Sequence, residues 1–326
     1  MFPNESVLSC IGNTPLLKFR TRFEGQDYQL HAKLEFMNPS GSIKDRIAKY
    51  MVEQAEAKGL LKPGFTIVEA TSGNTGIALS MVAAAKRYKM LVVMPEHMTG
   101  ERIKMMTNLG ADVCLTPRSD GFEGAVARAE MIAESGERYF LTDQFRNPEN
   151  TMAHYNTTGK EIVQQASGDV DAFVAGVGTG GTLMGVGKAL RESNRNVRLI
   201  AVEPAEAAVL SGRKEVRDHK IAGIGDGFIP EIVDMNLVDQ VIVIKSDDAV
   251  EMARRLSREL GLTVGVSSGA NVSASIQVLN EIGKDKRIVT VLPDRMERYF
   301  STDLYATCHD RVRRCSVHCE CPFDKL

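Results

Sequence analysis

Lys44 has the setting in this sequence that most favours a reactive side chain. Apolar residues recur at helical spacing over residues 43–58, which predicts a helix with Ser42 as its N-cap and Asp45 at the capping-box position. Lys44 then lies in the first turn, where the helix dipole and the bare N–H groups disfavour a cation. A lysine with a lowered pKa attacks carbonyl groups as the free amine. The alternative is an ordinary lysine that points into water.

A polar loop at residues 71–76 joins a predicted strand to an alanine-rich helix. Hydroxyls, an amide and successive backbone N–H groups at a helix N-terminus suit a carboxylate ligand. Capping alone would need only one such residue, with Asn74 or Thr75 as the N-cap. Six small polar and glycine residues exceed that need and predict a ligand loop, which consists of Thr71, Ser72, Gly73, Asn74, Thr75 and Gly76.

A glycine-rich loop follows another predicted strand and opens another helix. Its glycines satisfy the G-x-G-x-x-G pattern, and Glu203 lies about twenty residues on, so a dinucleotide site is one interpretation. A second is a single phosphate monoester, held by backbone N–H groups and threonine hydroxyls. Turn glycines without a ligand are the third. The loop consists of Gly176, Val177, Gly178, Thr179, Gly180, Gly181 and Thr182.

A third strand-to-helix junction carries Ser267 and Ser268. Either serine could simply cap a helix. Beside a reactive lysine, a carboxylate loop and a phosphate loop, however, a neutral hydroxyl suits the ring nitrogen of a pyridine cofactor. The four features together fit pyridoxal phosphate.

Alternating strands and helices must position these loops. This alternation predicts an α/β protein with mostly parallel sheets that are covered by helices on both faces, and it places ligand loops at the carboxyl ends of the strands. A short helix, a turn and an edge strand are predicted over residues 6–17. The other predicted strands are 31–36, 65–70, 90–94, 113–116, 139–141, 172–177, 198–203, 240–244, 263–266 and 287–292. The predicted helices are 43–58, 76–88, 100–109, 121–135, 150–165, 182–192, 247–260 and 271–281.

Composition narrows the function classes. The 326 residues carry a net charge of −2, which gives no electrostatic footprint for nucleic acid. No apolar run is long enough for a membrane span, and the first residues lack the features of a signal peptide. We therefore expect a cytoplasmic protein that binds neither membrane nor nucleic acid. Its six cysteines are not spread like a secreted disulfide framework, so we expect reduced thiols.

Nine motifs occur in one order along residues 6–305. They are Ile11-Gly12-Asn13-Thr14-Pro15-Leu16, the Lys44 stretch, residues 71–76, Met94-Pro95-Glu96, Asp143-Gln144-Phe145, residues 178–182, Gly223-Ile224-Gly225, Ser267-Ser268-Gly269 and Leu292-Pro293-Asp294. This series resembles the cysteine synthase (O-acetylserine sulfhydrylase) and cystathionine β-synthase group of the tryptophan-synthase-β-like pyridoxal-phosphate enzymes.

The resemblance implies fold type II, with two doubly wound domains, and a role for each matching residue. Lys44 would form the internal aldimine and act as base and acid at the substrate α-carbon. Asn74 would lie beside the phenolic oxygen of the cofactor and Ser268 at its ring nitrogen. The cofactor phosphate would be held by Gly178, Thr179, Gly180, Gly181 and Thr182. The substrate would be bound by Thr71, Ser72, Gly73, Thr75, Gln144 and Gly225.

Four segments follow from this assignment. We predict an N-terminal segment, 1–36, that packs with the second domain, and a smaller α/β domain, 37–145, that carries the substrate loop. A larger α/β domain, 146–305, would carry the phosphate loop, and a Cys/His-rich tail would follow at 306–326. The resemblance also implies a homodimer.

The implied reaction is β-replacement on O-acetylserine with sulfide, which gives L-cysteine through an aminoacrylate. Two alternatives within the family are a cystathionine β-synthase-like reaction and an O-phosphoserine-dependent one, either with an amino-acid nucleophile. Asp226 and Met296 depart from the cysteine synthase pattern near the expected pocket mouth. A carboxylate there would repel a phosphate leaving group and attract the ammonium group of an amino acid. The alternative outside the family is an NAD-binding oxidoreductase.

The tail combines soft metal ligands. Cys308, Cys315, Cys319 and Cys321, with two nearby histidines, are enough for a zinc or iron–sulfur site, although their spacing lacks the usual C-x2-C pairs. The alternatives are a tail with free thiols and a redox-sensing or partner-binding appendage.

Overall fold

The computed structural model describes residues 6–71, 73–96, 100–302 and 304. Its strands are β1 Leu16–Phe23, β2 Gln26–Lys33, β3 Thr66–Ala70, β4 Lys89–Pro95, β5 Asp112–Thr116, β6 Tyr139–Leu141, β7 Ala172–Gly176, β8 Arg198–Pro204, β9 Gln240–Ile244 and β10 Ile288–Val291. Its helices are α1 Lys44–Ala57, α2 Asn74–Lys86, α3 Gly100–Asn108, α4 Gly121–Glu134, α5 Pro148–His154, α6 Lys160–Gln165, α7 Gly181–Ser193, α8 Ser246–Leu260 and α9 Val266–Ile282.

Two sheets organise these elements. The smaller has the strand order β5-β4-β3-β6 and is entirely parallel. The larger has the order β1-β2-β10-β7-β8-β9 and is parallel except for the edge pair β1 and β2. The predicted class, α/β with two mostly parallel, doubly wound sheets, is confirmed.

The N-terminal hairpin belongs to the larger sheet, although the smaller sheet follows it in the chain. His31 of β2 pairs with Val289 of β10. Glu24 and Gly25 turn the hairpin with positive φ angles of 49° and 76°. The sequence predicted an edge strand ending near Leu17 and a second strand from His31. It missed most of the hairpin, although the residues of β1 alternate between more buried and exposed side chains, as a half-buried strand does.

The central strands are buried on both faces, which explains why their sequences are runs of apolar residues. All four residues of β10 and the first four of β7 are buried, as expected for parallel strands covered by helices on both faces. Helix α2 buries nine consecutive residues, from Thr75 to Ala83, between its sheet and its neighbouring helices.

Two helix predictions differ from the structure, one at its start and one in its middle. Helix α9 begins at Val266 rather than at residue 271, so both serines of that junction lie in its first turn. The predicted helix 150–165 is divided by a π-helical turn at Tyr155–Gly159. There the Thr157 hydroxyl donates to the Ala153 carbonyl at 2.6 Å, which competes with the regular helix ladder.

Boundaries between domains at residues 36, 145 and 305 stay predictions, and the tail 306–326 lies outside the described residues. Among the helices that the structure describes, none is both long and apolar enough to cross a membrane.

Candidate active site

A cavity of about 110 Å³ opens between the loops at the carboxyl ends of both sheets. It brings together the predicted lysine, the polar loop, the glycine-rich loop and one of the junction serines. Its wall includes Lys44, Thr71, Gly73, Asn74, Thr75, Gln144, Gly178, Thr179, Gly180, Thr182, Asp226, Ser267 and Tyr299.

Lys44 is the first residue of α1 and is partly buried in this cavity. Burial lowers the pKa of its amine, and the negative charges of Asp226 and Asp294 oppose that shift. The predicted direction is therefore confirmed, but the largest cause is desolvation rather than the helix dipole. The predicted capping box is wrong, since the Asp45 carboxylate accepts from the Ser40 backbone at 2.7 Å and from the Ser40 hydroxyl.

The Lys44 loop is fastened to the segment that follows β10. The Ile43 N–H donates to the Pro293 carbonyl at 2.8 Å, and the Arg295 N–H donates to the Gly41 carbonyl at 3.1 Å. The buried Arg298 guanidinium donates to the carbonyls of Ser40 and Gly41. The loop therefore has a fixed backbone before any ligand arrives.

Residues of the polar loop meet at the N-terminus of α2. The N-cap is Gly73, not Asn74 or Thr75 as predicted. The Thr75 hydroxyl donates to Gln144 Oε1 at 2.6 Å, and the Gly73 N–H donates to Thr71 Oγ1 at 3.3 Å. Ser72 lies outside the described residues. The loop offers hydroxyls and N–H groups at the positive end of a helix, an arrangement that can bind a carboxylate.

Glu69 lies fully enclosed behind this loop and was not predicted. Burial raises the pKa of its carboxyl group to about 8, although the Thr142 hydroxyl, which donates to it, acts in the opposite direction. No pattern in the sequence indicated that Glu69 is buried, because a glutamate in a strand normally faces solvent. Glu69 therefore keeps a neutral carboxyl group beneath the carboxylate loop at neutral pH.

Glu69→Gln should stabilise the protein at alkaline pH. The folded-state pKa of Glu69 lies above its unfolded value of 4.5, so stability is lost as the pH rises from 4.5 through about 8. The loss is on the order of 4 kcal/mol over this window. Urea denaturation at pH 5 and pH 9 should show that the glutamine variant has a smaller decrease than the wild type. The exposed Glu123→Gln serves as the control, and an unchanged decrease in Glu69→Gln would refute the shift.

The backbone of the glycine-rich loop passes so close to its neighbours that it leaves no room for side chains at two positions. A Cβ atom on residue 178 would lie 2.3 Å from the Gly223 carbonyl oxygen, and one on residue 181 would lie 2.0 Å from Asn150 Oδ1. Gly180 has a φ of +87° and forms the N-cap of α7. Side chains at residues 178 and 181 would collide with these neighbours, so the conformation of the loop requires glycine.

Two residues that the sequence analysis missed support the threonines of this loop. The Asn150 amide donates to Thr179 Oγ1 at 2.9 Å. The buried His154 ring contacts Thr182 Oγ1 through Nε2 at 3.2 Å and Thr158 Oγ1 through Nδ1 at 2.9 Å. Burial lowers the pKa of His154 well below its ordinary value, and the charges of Lys44 and Arg46 add to the effect. The two residues lie about thirty positions upstream of the loop, so no local pattern could reveal them.

The dinucleotide interpretation of this loop is wrong. Glu203 is buried, and its carboxylate accepts from the backbone N–H groups of Leu210 at 2.8 Å and Ser211 at 2.9 Å. The Ser211 hydroxyl donates to the same carboxylate at 2.5 Å. Both oxygens therefore brace the segment after β8, and the carboxylate is engaged within the fold instead of facing a ribose hydroxyl.

Two buried polar atoms test whether a pyridine cofactor fits. Asn74 Oδ1 and Ser268 Oγ are buried and have no hydrogen-bond partner among the described residues. Ser267 lies on the cavity wall, whereas Ser268 is fully buried behind it. Buried polar atoms normally have partners, so these two indicate a polar ligand. Together with the glycine cradle and the lysine amine, they fit pyridoxal phosphate.

Of the two residues that depart from the cysteine synthase pattern, Asp226 lies on the cavity wall, whereas Met296 is not among the wall residues. Asp226 remains open to solvent through the cleft, although protein atoms surround it on most sides. This partial desolvation raises its pKa, while the charges of Lys44 and His219 oppose the rise. Gly225 stands just behind the wall, with a φ of +72° and its N–H bound to the Val177 carbonyl.

No group of three or more His, Cys, Asp or Glu side chains that could hold a metal ion occurs in the described part of the chain. The tail cysteines Cys308, Cys315, Cys319 and Cys321 lie outside that part, and the zinc or iron–sulfur site stays a prediction for them.

Comparisons with known proteins agree with this geometry. A family model described as "Pyridoxal-phosphate dependent enzyme" matches residues 7–294. The chain is 47% identical over 305 residues to a cysteine synthase of Staphylococcus aureus (strain Mu50 / ATCC 700699), which covers 93% of this chain and 98% of the relative. A solved O-acetylserine sulfhydrylase, isoform 3 from Entamoeba histolytica, is 39% identical with a TM-score of 0.86 and covers 96% of this chain and 93% of that one. A solved O-acetylserine dependent cystathionine β-synthase from Helicobacter pylori is 37% identical with a TM-score of 0.87 and covers 94% and 100%, respectively.

Proposed function

Because the chain belongs to the pyridoxal-phosphate dependent enzyme family, we propose that it forms L-cysteine from O-acetyl-L-serine and sulfide by replacement at the β-carbon. The observation that carries this proposal is the Lys44 amine. It lies in one cavity between a carboxylate loop and a phosphate cradle, and burial lowers its pKa. The similarity to a cysteine synthase over most of both chains supports the choice of substrates.

Eight residues of the chain would hold the cofactor. The Lys44 amine would bond to it covalently, and Ser268 and Asn74 offer their unpartnered atoms to its ring. The cradle of Gly178, Thr179, Gly180, Gly181 and Thr182 would hold its phosphate through N–H groups and hydroxyls. When bound, pyridoxal phosphate supplies an electron sink for negative charge at the substrate α-carbon. The neutral Ser268 hydroxyl, if it met the ring nitrogen, would make this sink weaker than a carboxylate would, which suits β-elimination.

Substrate binding falls to the polar loop. The amino-acid carboxylate would accept from the N–H groups and hydroxyls of Thr71, Ser72, Gly73 and Thr75 at the N-terminus of α2. Gln144, whose Oε1 accepts from Thr75, would add its amide N–H. Ile224 and Asp226, which line the cavity on either side of Gly225 in the chain, would form another part of the wall around the substrate. This arrangement aims the α-carbon at Lys44.

Lys44 would move the proton of the α-carbon. The amine accepts this proton only when it is neutral, and its lowered pKa increases the neutral fraction at physiological pH. After the β-substituent has left and sulfide has added, the same amine would return the proton. The chain would act as a homodimer, as the family resemblance implies.

The test of this function is product formation from a panel of substrates. Purified protein with pyridoxal phosphate, O-acetylserine and sulfide should release L-cysteine and acetate. Homocysteine in place of sulfide tests an amino-acid nucleophile. Two observations favour this alternative, namely the similarity to the cystathionine β-synthase of Helicobacter pylori and the carboxylate of Asp226 on the cavity wall. If cystathionine formed faster than cysteine, homocysteine would replace sulfide as the proposed nucleophile. If no pair of amino-acid substrate and nucleophile gave a product, the proposal would be refuted.

Asp226→Asn should increase the use of O-phosphoserine. Asp226 places a carboxylate on the cavity wall, and a phosphate leaving group would experience its repulsion. At a separation of about 7 Å in a partly solvated site, one charge pair is worth about 2 kcal/mol, so kcat/KM for O-phosphoserine should rise by about tenfold or more. The uncharged acetyl group of O-acetylserine should respond much less.

The control for this variant is Asp27→Asn, which removes a side chain that is 79% exposed at the distant hairpin. Steady-state kinetics with both leaving groups give the ratio of the two kcat/KM values. If this ratio is the same in Asp226→Asn, Asp27→Asn and the wild type, Asp226 does not select the leaving group.

A further inference from the structure

Asp294 lies outside the residues assigned to the cofactor so far, yet its side chain contacts one of them. It follows β10 and is 1% exposed. Its Oδ2 accepts from the Asn74 amide nitrogen at 2.7 Å and from the Tyr299 hydroxyl at 2.6 Å. Residues 74 and 294 come from opposite sides of the cavity, so this bond crosses between the two sheets.

The backbone around Asp294 keeps the carboxylate in this position. The Gly265 N–H donates to the Asp294 carbonyl at 3.0 Å, and Ser42 forms an isolated bridge with Asp294. A Cβ atom on residue 265 would lie 2.2 Å from Asp294 Oδ1, so only glycine leaves room for the carboxylate. Asp294 therefore joins the Lys44 loop, the beginning of α9 and the beginning of α2.

Tyr299 fixes the carboxylate from the other side. Burial raises the pKa of its hydroxyl, and the negative charge of Asp294 raises it further, so the hydroxyl stays protonated and donates. The Tyr299 ring is 2% exposed, with the Arg102 guanidinium 5.6 Å from its centre. The hydroxyl therefore has a fixed direction and occupies one lone pair of Asp294 Oδ2.

The chemistry of these groups determines how Asn74 is oriented. An ionised carboxylate only accepts hydrogen bonds, so it holds the nitrogen end of the amide and excludes the flipped orientation. A primary amide has two N–H groups, and Asp294 takes one of them. Asn74 lies on the cavity wall, where the second N–H and the unpartnered Oδ1 are left for a ligand.

We propose that Asp294, itself fixed by Tyr299, is a positioning residue that holds the Asn74 amide with its second N–H available to the ring oxygen of the cofactor. This inference rests on the proposed function, because it needs pyridoxal phosphate as the ligand. Neither Asp294 nor Tyr299 needs to touch the cofactor for this role.

Tyr299→Phe is the deciding variant, since it keeps the ring and the charge of Asp294 and removes only the hydroxyl. Two quantities are measured, namely the dissociation constant of pyridoxal phosphate by equilibrium dialysis and the wavelength and pH titration of its visible absorption band. We expect about threefold weaker binding in Tyr299→Phe and about tenfold weaker binding in Asp294→Asn, each with a shifted band, because the ring oxygen loses an oriented donor. In the Asn74→Ala background, Tyr299→Phe should have no further effect.

Tyr28→Phe is the matched control. The Tyr28 ring is 3% exposed, and its hydroxyl donates to Asn280 Oδ1 at 2.9 Å, away from the cavity. It should lower thermal stability by as much as Tyr299→Phe does and leave cofactor binding and the absorption band unchanged. An equal effect of Tyr299→Phe with and without Asn74, or wild-type binding in both Tyr299→Phe and Asp294→Asn, would overturn the positioning role. A wild-type protein that binds no pyridoxal phosphate would instead overturn the proposed function.

Discussion

Lys44→Ala should lower the rate of cysteine formation by at least about 10⁴-fold, because one side chain both bonds to the cofactor and moves the α-proton. Asn74, Ser268 and the phosphate cradle remain in the variant, so it should still bind pyridoxal phosphate. The visible band that depends on the bond to lysine should be lost. Sulfide-dependent cysteine release and absorption spectroscopy measure the two effects.

Lys49→Ala is the control for this variant. Lys49 lies on the same helix, and its amine donates to the Leu8 carbonyl at 3.1 Å. Its loss should leave both the rate and the spectrum close to those of the wild type. If Lys44→Ala retained more than about one hundredth of the wild-type rate, another group would have to carry the proton.

Arg46→Met should destabilise the protein by about 3 to 5 kcal/mol, the largest stability effect that we expect from one side chain. Arg46 is 2% exposed and bonds to Glu35 at 2.7 Å and to Glu161 at 2.6 Å. Lys33, fully buried, approaches Glu161 at 2.6 Å from the other side. Methionine would leave Glu35 buried with its charge uncompensated. Urea denaturation at pH 7 measures the loss.

Arg46→Met should also change how stability depends on pH in the acidic range. Although burial acts to raise the pKa of Glu161, hydrogen bonds and charges from Arg46 and Lys33 lower it to about 2. A lowered carboxyl pKa gives stability that is present above the unfolded value of 4.5 and is lost as the pH falls to about 2. Arg46→Met should therefore lose less stability than the wild type between pH 5 and pH 2.

The exposed pair of Lys58 and Glu149 provides the control for Arg46→Met. Their charged atoms are 2.5 Å apart, but the Lys58 side chain is 52% exposed. Lys58→Met should cost no more than about 1 kcal/mol, because water screens the pair and solvates the remaining carboxylate. If Lys58→Met and Arg46→Met lost equal stability, burial would not govern the strength of these ion pairs.

Local patterns were enough to locate the loops of the site. The segments 71–76 and 176–182 each end an apolar strand and begin a helix, and parallel strands bring such junctions to one edge. Lys44 could also be identified from a local pattern, because the helical spacing of the apolar residues after it predicts that a helix begins there. The cause of its lowered pKa could not, because burial depends on the tertiary fold, and the opposing charges come from Asp226 and Asp294, far along the chain.

Long-range contacts explain the remaining differences. Asn150, His154 and Asp294 act on the site through side chains whose partners are 28 to 220 residues away, and no periodicity records such pairs. The dinucleotide pattern failed for a related reason. Glu203 lies as far from the glycine pattern as a ribose-binding residue would. The chain folds back after it, however, and the backbone N–H groups of Leu210 and Ser211 bind its carboxylate.

The pairing of β2 with β10 has a consequence for how the protein is made. His31 and Val289 are partners in the sheet, although 258 residues separate them. At ribosomal speeds of about 5 to 20 residues per second, the hairpin waits roughly 10 to 50 s for its neighbouring strand. The Lys44 loop waits for Pro293 and Arg295 over the same interval. Nascent chains therefore cannot bring the lysine, the asparagine and the phosphate cradle together before synthesis is nearly complete, which spares a partial chain from capturing a reactive aldehyde.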